Sequence, residues 1–186
     1  MAARPSVALA LLAAGRSSRF GREDKLAAAF RGKPLWRHAA QTLRTLPLAH
    51  RWLIVRQPGQ FIAEGYTGIV NTHADQGIGA SVALAAALAQ EAGADALLIA
   101  LADMPLVPAS HFARLVEAAG PDTLLASHNG SAPSPPALFG RDHFAGLQQA
   151  SGDKGARALL RVAGILPCDP ALMIDIDTPE ALLRHG

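Results

Sequence analysis

The most telling part of the sequence is Val7-Ala8-Leu9-Ala10-Leu11-Leu12-Ala13-Ala14-Gly15-Arg16-Ser17-Ser18-Arg19-Phe20-Gly21, an apolar run that leads directly into a loop of small and basic residues. The run 7–12 has the length and continuous apolarity of a strand buried on both faces. The small residues that follow let the backbone turn tightly and point its amides at an anion, while Arg19 and Lys25 add positive charge. The pattern indicates a phosphate-binding loop, the alternative being an ordinary glycine-containing turn after a core strand.

This loop does not match two better known nucleotide-binding motifs. A P-loop needs Gly, four residues and then Gly-Lys-Ser/Thr, whereas Gly15 is followed by Gly21 and then by Arg22-Glu23. A dinucleotide fingerprint needs Gly-x-Gly-x-x-Gly, but positions 17 and 18 are both serine. The sequence therefore disfavours a P-loop enzyme and a Rossmann dehydrogenase.

Composition limits the class of protein. A chain of 186 residues with 50% hydrophobic and 17% charged residues is predicted to form one soluble globular domain over residues 1–186. The formal net charge is only +2, but basic residues crowd the segment from Arg16 to Arg37, which suits a polyanionic small molecule. Few aromatic residues are present for base stacking, so no nucleic-acid partner is expected.

Cysteine usage and hydropathy predict a cytoplasmic protein without a membrane partner. The single cysteine, Cys168, excludes an intrachain disulfide and fits a reducing compartment. The apolar run after Arg4 resembles a secretory signal, but the same residues are expected to form the first strand. The alanine-rich segment 79–102 is interrupted by Gln90, Glu91 and Asp95, so it is not interpreted as a membrane span.

Apolar runs alternate with helical patterns along the chain, which predicts a three-layer α/β fold with a mainly parallel, mixed sheet. The predicted strands are 7–12, 52–56, 68–71, 96–101, 123–127, 137–139, 165–167 and 173–176. The predicted helices are 35–45, 79–92, 110–119, 143–149, 154–162 and 179–185. The proline-rich segment 127–136 is expected to be a loop that borders the ligand crevice.

Carboxylates follow two of these apolar segments. Asp103 comes just after the run 96–101, where parallel sheets bind ligands, so it either bonds loop amides or holds Mg²⁺ beside phosphates. Asp175 and Asp177 would lie on one side of a strand at 173–176, or else serve as a cap for the last helix.

Two glycine-containing segments precede predicted helices. Gly77-Ile78-Gly79-Ala80-Ser81 either faces a base or ribose or only shapes a turn. Gly152-Asp153-Lys154-Gly155-Ala156-Arg157 offers Asp153 as a cap and two cations to an anionic substrate, or is a solvated helix face. The histidines lack metal-ligand spacing and are assigned no catalytic role.

In this order and spacing the motifs resemble the MobA-like nucleotidyltransferase family, and within it most closely the molybdenum cofactor cytidylyltransferases. Further matching segments are Gly32-Lys33-Pro34-Leu35, Ala102-Asp103-Met104-Pro105 and Asp175-Ile176-Asp177-Thr178-Pro179-Glu180. Ala13-Ala14-Gly15 is of the cytidylyltransferase kind, whereas guanylyltransferases show Ala-Gly-Gly. The resemblance implies a Rossmann-like nucleotidyltransferase fold, Mg²⁺ as cofactor, CTP and molybdenum cofactor as substrates, and a transient molybdoenzyme client.

The motifs and the resemblance together give the expected site residues. Arg19, Lys25 and Asp103 are expected to be catalytic, and Asp103 to hold the metal with Asp175 or Asp177. Asp153, Lys154 and Arg157 are expected to bind the acceptor. The expected nucleotide-binding residues are Leu12, Ala13, Ala14, Gly15, Arg16, Ser17, Ser18, Arg19, Lys25, Asn71, Gly77, Ser81 and Ala102.

One segment departs from the family pattern. Where cytidylyltransferases often carry a Pro-Gly-His-Pro-like segment, this chain has Gly130-Ser131-Ala132-Pro133-Ser134-Pro135-Pro136, so another phosphorylated small molecule stays open as the acceptor. Alternative functions are a guanylyltransferase, a sugar-phosphate nucleotidyltransferase, and a non-catalytic nucleotide-binding protein that delivers cofactor to an apoenzyme.

Overall fold

Strands and helices alternate in the computed structural model, which describes residues 4–15, 20, 24–152 and 160–186. The strands are β1 (Val7–Leu12), β2 (Ala29–Phe30), β3 (Lys33–Pro34), β4 (His50–Val55), β5 (Thr67–Val70), β6 (Ala96–Leu101), β7 (Leu124–His128), β8 (Pro133–Gly140) and β9 (Gly164–Pro167). The helices are α1 (Leu35–Arg44), α2 (Ile78–Glu91), α3 (Ala109–Glu117), α4 (Phe144–Gln148) and α5 (Pro179–His185). Short 3-10 turns lie at Ala74–Gln76, Arg141–His143 and Pro170–Leu172.

Seven strands form one sheet in the order β5-β4-β1-β6-β8-β7-β9. β1 lies between β4 and β6 and runs parallel to both. β8 runs antiparallel to its neighbours β6 and β7, while β9 returns parallel to β7. This mixed, mostly parallel sheet confirms the predicted fold class.

Both faces of the sheet are covered, as the continuous apolarity of β1 requires. Its alternating side chains enter two separate cores, with Leu9 and Leu11 on the side of α1 and α3, and Ala8 and Ala10 on the side of α2 and α4. On the second side small residues face each other, because α2 presents alanines to the alanines of β1. The helix thus lies close to the strand, and its N-terminus reaches the carboxyl edge of the sheet.

Two sequence predictions differ from the structure. The segment 173–176 is not a strand: Ile176 is buried and its N–H donates to the carbonyl of Asp103, but the chain lies alongside the loop after β6 instead of joining the sheet. Most of the predicted loop 127–136 belongs to β7 and β8. β8 tolerates its prolines because it pairs with β6 only from Ala137 to Gly140.

The hairpin formed by β2 and β3 escaped the sequence prediction. Arg31 and Gly32 between the strands have φ values of 45° and 81°, the conformation that a tight two-residue hairpin requires. The predicted helix 154–162 lies mostly outside the described residues. Among the residues that are described, no helix is long and apolar enough to cross a membrane.

Candidate functional site

A cleft of about 500 Å³ lies where the carboxyl ends of β1 and β6 meet the start of α2. Its walls come from four parts of the chain that the sequence pattern singled out. The residues lining it are Leu12, Ala14, Gly15, Lys25, Leu26, Ala74, Asp75, Gln76, Gly77, Ile78, Ser81, Leu101, Asp103 and Gly152. The fold therefore brings the first loop, the Gly77 segment and Asp103 to one place.

A cluster of charges lies at one end of this cleft. The Nζ atom of Lys25 is 2.6 Å from Oδ2 of Asp103 and 2.5 Å from Oδ1 of Asp177. Burial opposes the charge on Lys25, but the two carboxylates outweigh burial and raise the pKa of Lys25 above its usual value. Lys25 is therefore a fixed cation at neutral pH.

Asp175 lies beside this cluster and interacts electrostatically with Asp103, Asp177 and Lys25. The protein around its carboxyl group and then the charges of Asp103 and Asp177 raise the pKa of Asp175 to about 6, although solvent still reaches much of the residue. Three carboxylates thus lie close enough to repel one another, and one ammonium only partly neutralises them. Such a surplus of negative charge favours binding of a further cation.

The donor set of the cluster fits a hard divalent ion. The Oδ1 atom of Asp103 is buried and has no hydrogen-bond partner among the described residues. Mg²⁺ and Mn²⁺ prefer carboxylate oxygens, and Mg²⁺ commonly takes only one or two of them beside phosphates and water. Within the described ranges no group of three His, Cys, Asp or Glu side chains is arranged to hold a metal ion by itself.

Three of the expected nucleotide-binding residues support the cleft wall and are not among the described residues that line it. Ala13 and Ala102 are buried, and their N–H groups donate to the carbonyls of Ile54 and Leu12. Asn71 is also buried, and its Nδ2 donates to Oγ of Ser81 over 2.9 Å. Asn71 thereby fixes Ser81, which does line the cleft.

Glycine is required twice at the start of α2. Gly77 has a φ of 94°, which L side chains rarely adopt. Gly79 packs against the segment before residue 153: its N–H donates to the Gly152 carbonyl over 2.9 Å, and a β-carbon there would lie 2.6 Å from that oxygen. The Gly79 amide is therefore used inside the protein rather than offered to a ligand.

Several expected site residues lie outside the described residues, namely Arg16, Ser17, Ser18, Arg19, Asp153, Lys154 and Arg157. Their roles stay predictions. The described neighbours Gly15, Lys25 and Gly152 line the cleft on both sides of these gaps.

The sequence interpretation missed an ion pair between Arg56 and Asp75. Nη2 of Arg56 is 2.5 Å from Oδ1 of Asp75, and Nη1 is 3.5 Å from the carbonyl oxygen of Ala14. Gln60 accepts the N–H of Arg56 and donates to Asp24, which precedes Lys25 in the chain. The available signal was that Arg56, like Asp103, follows a buried strand near the ligand-binding edge.

Two curated proteins are similar to nearly the whole chain. The purine catabolism protein PucB of Bacillus subtilis (strain 168) is 31% identical, over 91% of this chain and 90% of its own length. The nicotine blue oxidoreductase of Paenarthrobacter nicotinovorans is also 31% identical, over 97% of this chain and 96% of its own.

Solved structures share the fold at lower identity. Rv0371c from Mycobacterium tuberculosis H37Rv superposes with a TM-score of 0.83 at 21% identity, covering 99% of this chain and 98% of that one. A manganese complex of Rv0371c gives a TM-score of 0.79 at 20% identity, covering 97% of each chain. Residues 9–171 match the MobA-like NTP transferase domain. Together with the identity to full-length relatives, this match shows that the chain belongs to the MobA-like NTP transferase family.

Proposed function

We propose that the protein transfers CMP from CTP to a phosphorylated acceptor, with molybdopterin or molybdenum cofactor as the first candidate, and releases pyrophosphate. The observation that carries this proposal is the ammonium of Lys25, held between Asp103 and Asp177 in a cleft that the Ala14-Gly15 turn also lines. Backbone amides, a buried cation and acidic side chains suited to a divalent ion are the groups that a nucleoside triphosphate needs.

In the proposed reaction an acceptor phosphate oxygen bonds to the α-phosphorus of CTP while the bond from that phosphorus to the bridging oxygen breaks. The leaving group is pyrophosphate. A phosphate monoester has its second pKa near about 6, so it is already ionised at neutral pH and needs no strong general base. The protein's task is therefore to position the two phosphates and to neutralise charge.

The candidate site residues divide this task between them. Lys25 supplies positive charge toward the β- and γ-phosphates, and Arg19 is proposed to join it. Asp103 and Asp177, with Asp175 beside them, would hold Mg²⁺ or Mn²⁺, and the bound ion would neutralise charge on the triphosphate. The manganese complex of Rv0371c supports a divalent ion in this fold. Asp153, Lys154 and Arg157 are proposed to receive the acceptor.

CTP is proposed as the nucleotide because Ala13-Ala14-Gly15 is the form of the loop found in related cytidylyltransferases. The test is to titrate the purified protein with CTP and GTP side by side in the presence of Mg²⁺. Pyrophosphate release and the mass of the product are then measured with and without molybdopterin. We expect pyrophosphate and a CMP adduct only when CTP and acceptor are both present.

Three results would contradict the proposal, each in favour of another function. Productive use of GTP would make the protein a guanylyltransferase, and tight CTP binding without pyrophosphate release would make it a binding and delivery protein. One relative is named an oxidoreductase, so oxidation of NADH or NADPH is followed in parallel. Oxidation of NADH or NADPH that needs no nucleoside triphosphate, in the absence of pyrophosphate release, would assign the protein a redox reaction instead of nucleotidyl transfer.

A further inference from the structure

We propose that Arg56, held by Asp75, selects the nucleobase by donating hydrogen bonds to the O2 and N3 atoms of cytosine. This inference rests on the proposed function, because it takes the ligand to be a nucleoside triphosphate with its phosphates near Lys25. It assigns a specificity role to a side chain that the mechanism above does not use.

The sheet order places Arg56 opposite the charge cluster. Arg56 follows β4 directly and Asp103 follows β6 after one residue, while β1 lies between these two strands. Two strand spacings separate the ends of β4 and β6 by about 10 Å. The Ala14-Gly15 turn lies between them. With the phosphates at Lys25 and Asp103, the nucleoside extends across this turn toward Arg56.

The guanidinium of Arg56 is fixed directly behind the cleft wall, and Arg56 itself is not among the described residues that line the cleft. It contacts the Asp75 carboxylate and the Ala14 carbonyl, and both of those residues line the cleft. Its side chain is 29% exposed, and the Gln60 side chain holds its backbone. The guanidinium is a planar fork of donors, so a fixed orientation gives it directional selectivity.

The charge of the pair favours a neutral part of the ligand over a phosphate. Asp75 neutralises Arg56 at short range and would itself repel a phosphate. Lys25 is also paired, with the two carboxylates of Asp103 and Asp177, but the divalent ion proposed at those carboxylates would add the positive charge that a triphosphate needs. The Arg56–Asp75 pair is therefore suited to the base, and Lys25 to the triphosphate.

Cytosine matches the donors of Arg56 better than uracil does. Its O2 and N3 atoms are adjacent acceptors, which a guanidinium fork can contact together. Uracil carries N3–H at the second position, which opposes the donors of Arg56 and leaves a guanidinium hydrogen bond unmade. Guanine offers adjacent acceptors at O6 and N7, on a different edge of the base, so the ratio of CTP to UTP affinity is the measure of this selectivity.

Calorimetric titration of the full chain with Mg²⁺ and without acceptor tests the inference. The ligands are CTP, UTP, GTP and inorganic tripolyphosphate. In Arg56→Gln we expect CTP affinity to fall by about tenfold to a hundredfold, as for loss of a two-bond base contact, with little change for tripolyphosphate. Arg56→Lys keeps the charge but not the fork, so it should also lose the preference for CTP over UTP.

Arg44→Gln is the matched control, because Arg44 forms an exposed ion pair with Glu64 and both residues line a separate cleft beside α1. It should leave all four affinities at parental values. The inference is overturned if the ratio of CTP to UTP affinity is unchanged in both Arg56 variants, or if the parent prefers no base. Equal losses for CTP and tripolyphosphate would also overturn it, by assigning Arg56 to the phosphates.

Failure of the proposed function has a different signature. It would appear as absent pyrophosphate release by the parent protein in the presence of acceptor. Base selectivity is measured here without acceptor and without turnover, so the two results are independent. Thermal unfolding of both Arg56 variants checks that they fold before the affinities are compared.

Discussion

Lys25 joins two carboxylates that lie far apart in the sequence, Asp103 after β6 and Asp177 before α5. The buried ammonium keeps its charge because both partners are present. One positive charge between two carboxylates, with Asp175 close by, leaves the cluster net negative. This residual charge makes the cluster attractive to a divalent ion as well as to the lysine.

Replacing Asp103 by asparagine should separate activity from stability. Asn can still accept a hydrogen bond from Lys25, and Asp177 remains in place, so the free energy of unfolding should change by about 1 kcal/mol. Loss of the negative charge that would hold a divalent ion should lower turnover by about a hundredfold or more. Pyrophosphate release and urea unfolding measure the two effects.

The control for Asp103→Asn is Asp142→Asn, an exposed acid at the opposite edge of the sheet. It should leave both measurements unchanged. Parental turnover of Asp103→Asn at low Mg²⁺ would refute the metal role, and a variant that no longer folds would show that Asp103 is chiefly structural.

The sequence could predict Asp103 and Lys25 as site residues, because both flank segments with strong local patterns. It could not predict the pair of Arg56 and Asp75. Their contact depends on the pairing of β4 with β5 and on the turn at Ala74–Gln76 that follows β5, and neither was fixed by a local sequence pattern. Arg56 alone resembles the polar last residue of a strand.

Among the elements, α2 is placed by its glycines. Gly77 turns the chain into the helix, and Gly79 lets the segment at 151–152 approach the helix backbone. That segment leads into 153–159, where the acceptor-binding residues are predicted. The start of α2 therefore supports the segment that leads to the predicted acceptor-binding residues, and it also forms part of the cleft wall.

Gly79→Ala should disturb this support. The added β-carbon would lie 2.6 Å from the Gly152 carbonyl oxygen and 2.7 Å from the Ser151 carbonyl carbon, which are backbone atoms and cannot rotate away. We expect a loss of about 1–3 kcal/mol in the free energy of unfolding and a higher KM for the acceptor. Urea unfolding and steady-state kinetics measure the two.

Gly68→Ala is the control for Gly79→Ala, since a β-carbon at Gly68 in β5 meets no described atom within 4 Å. It should shift stability by at most about 0.5 kcal/mol. Equal stability of the two variants would show that residues 151–152 move away from α2 without cost.

A buried histidine ties α3 to the hairpin of β7 and β8. Ser127 donates its only hydroxyl proton to the Pro136 carbonyl over 2.6 Å, so Nε2 of His111, 2.7 Å from that hydroxyl, acts as the donor. Burial, and then the charge of Arg114, lowers the pKa of His111 below its usual value. His111 is therefore neutral in the folded protein near neutral pH.

This histidine should make stability depend on pH. As pH falls below about 6.5, the unfolded chain takes up a proton at this histidine while the folded protein does not, so stability falls with pH. The slope from one group is at most about 1.4 kcal/mol per pH unit. The parent protein should lose free energy of unfolding between pH 7.5 and pH 5.5, and in His111→Gln we expect the contribution of this histidine to that loss to be absent.

Urea unfolding at both pH values checks the prediction, with His50→Gln as an exposed control that keeps the parental dependence. An unchanged pH dependence in His111→Gln would contradict it. The variant should be less stable at pH 7.5 because Ser127 loses a donor.

Element types followed from the sequence wherever periodicity was strong, as in β1, β6 and α1. The segment 173–176 was wrongly predicted as a strand, because a buried segment without regular structure can show the same apolar pattern as a strand. Its residues Met173 and Ile176 are buried under the end of the sheet. The first half of β8 was predicted as a loop because its prolines have no N–H to donate to a neighbouring strand. The sequence does not show that these positions have no partner in β6 and so need no such hydrogen bond.

For the whole molecule, ligand binding and folding should be linked. CTP at about one hundred times its dissociation constant should raise the free energy of unfolding by about 2.7 kcal/mol, because only the folded chain assembles the cleft. Most of this gain should require Mg²⁺ or Mn²⁺ and disappear with EDTA. Thermal unfolding measures it, and an equal gain in EDTA would argue against a metal at Asp103 and Asp177.

Every strand of the seven-stranded sheet except β8 ends at the same edge of the sheet. β7 and β9 end, and β8 begins, at the edge where β1 and β6 also end. Cys168 follows β9 and thus lies on this side, while Asp142 follows β8 on the other. On a sensor surface, coupling through Cys168 would hold the ligand-binding edge against the support. An anchor engineered at position 142 would turn that edge toward the flowing solution.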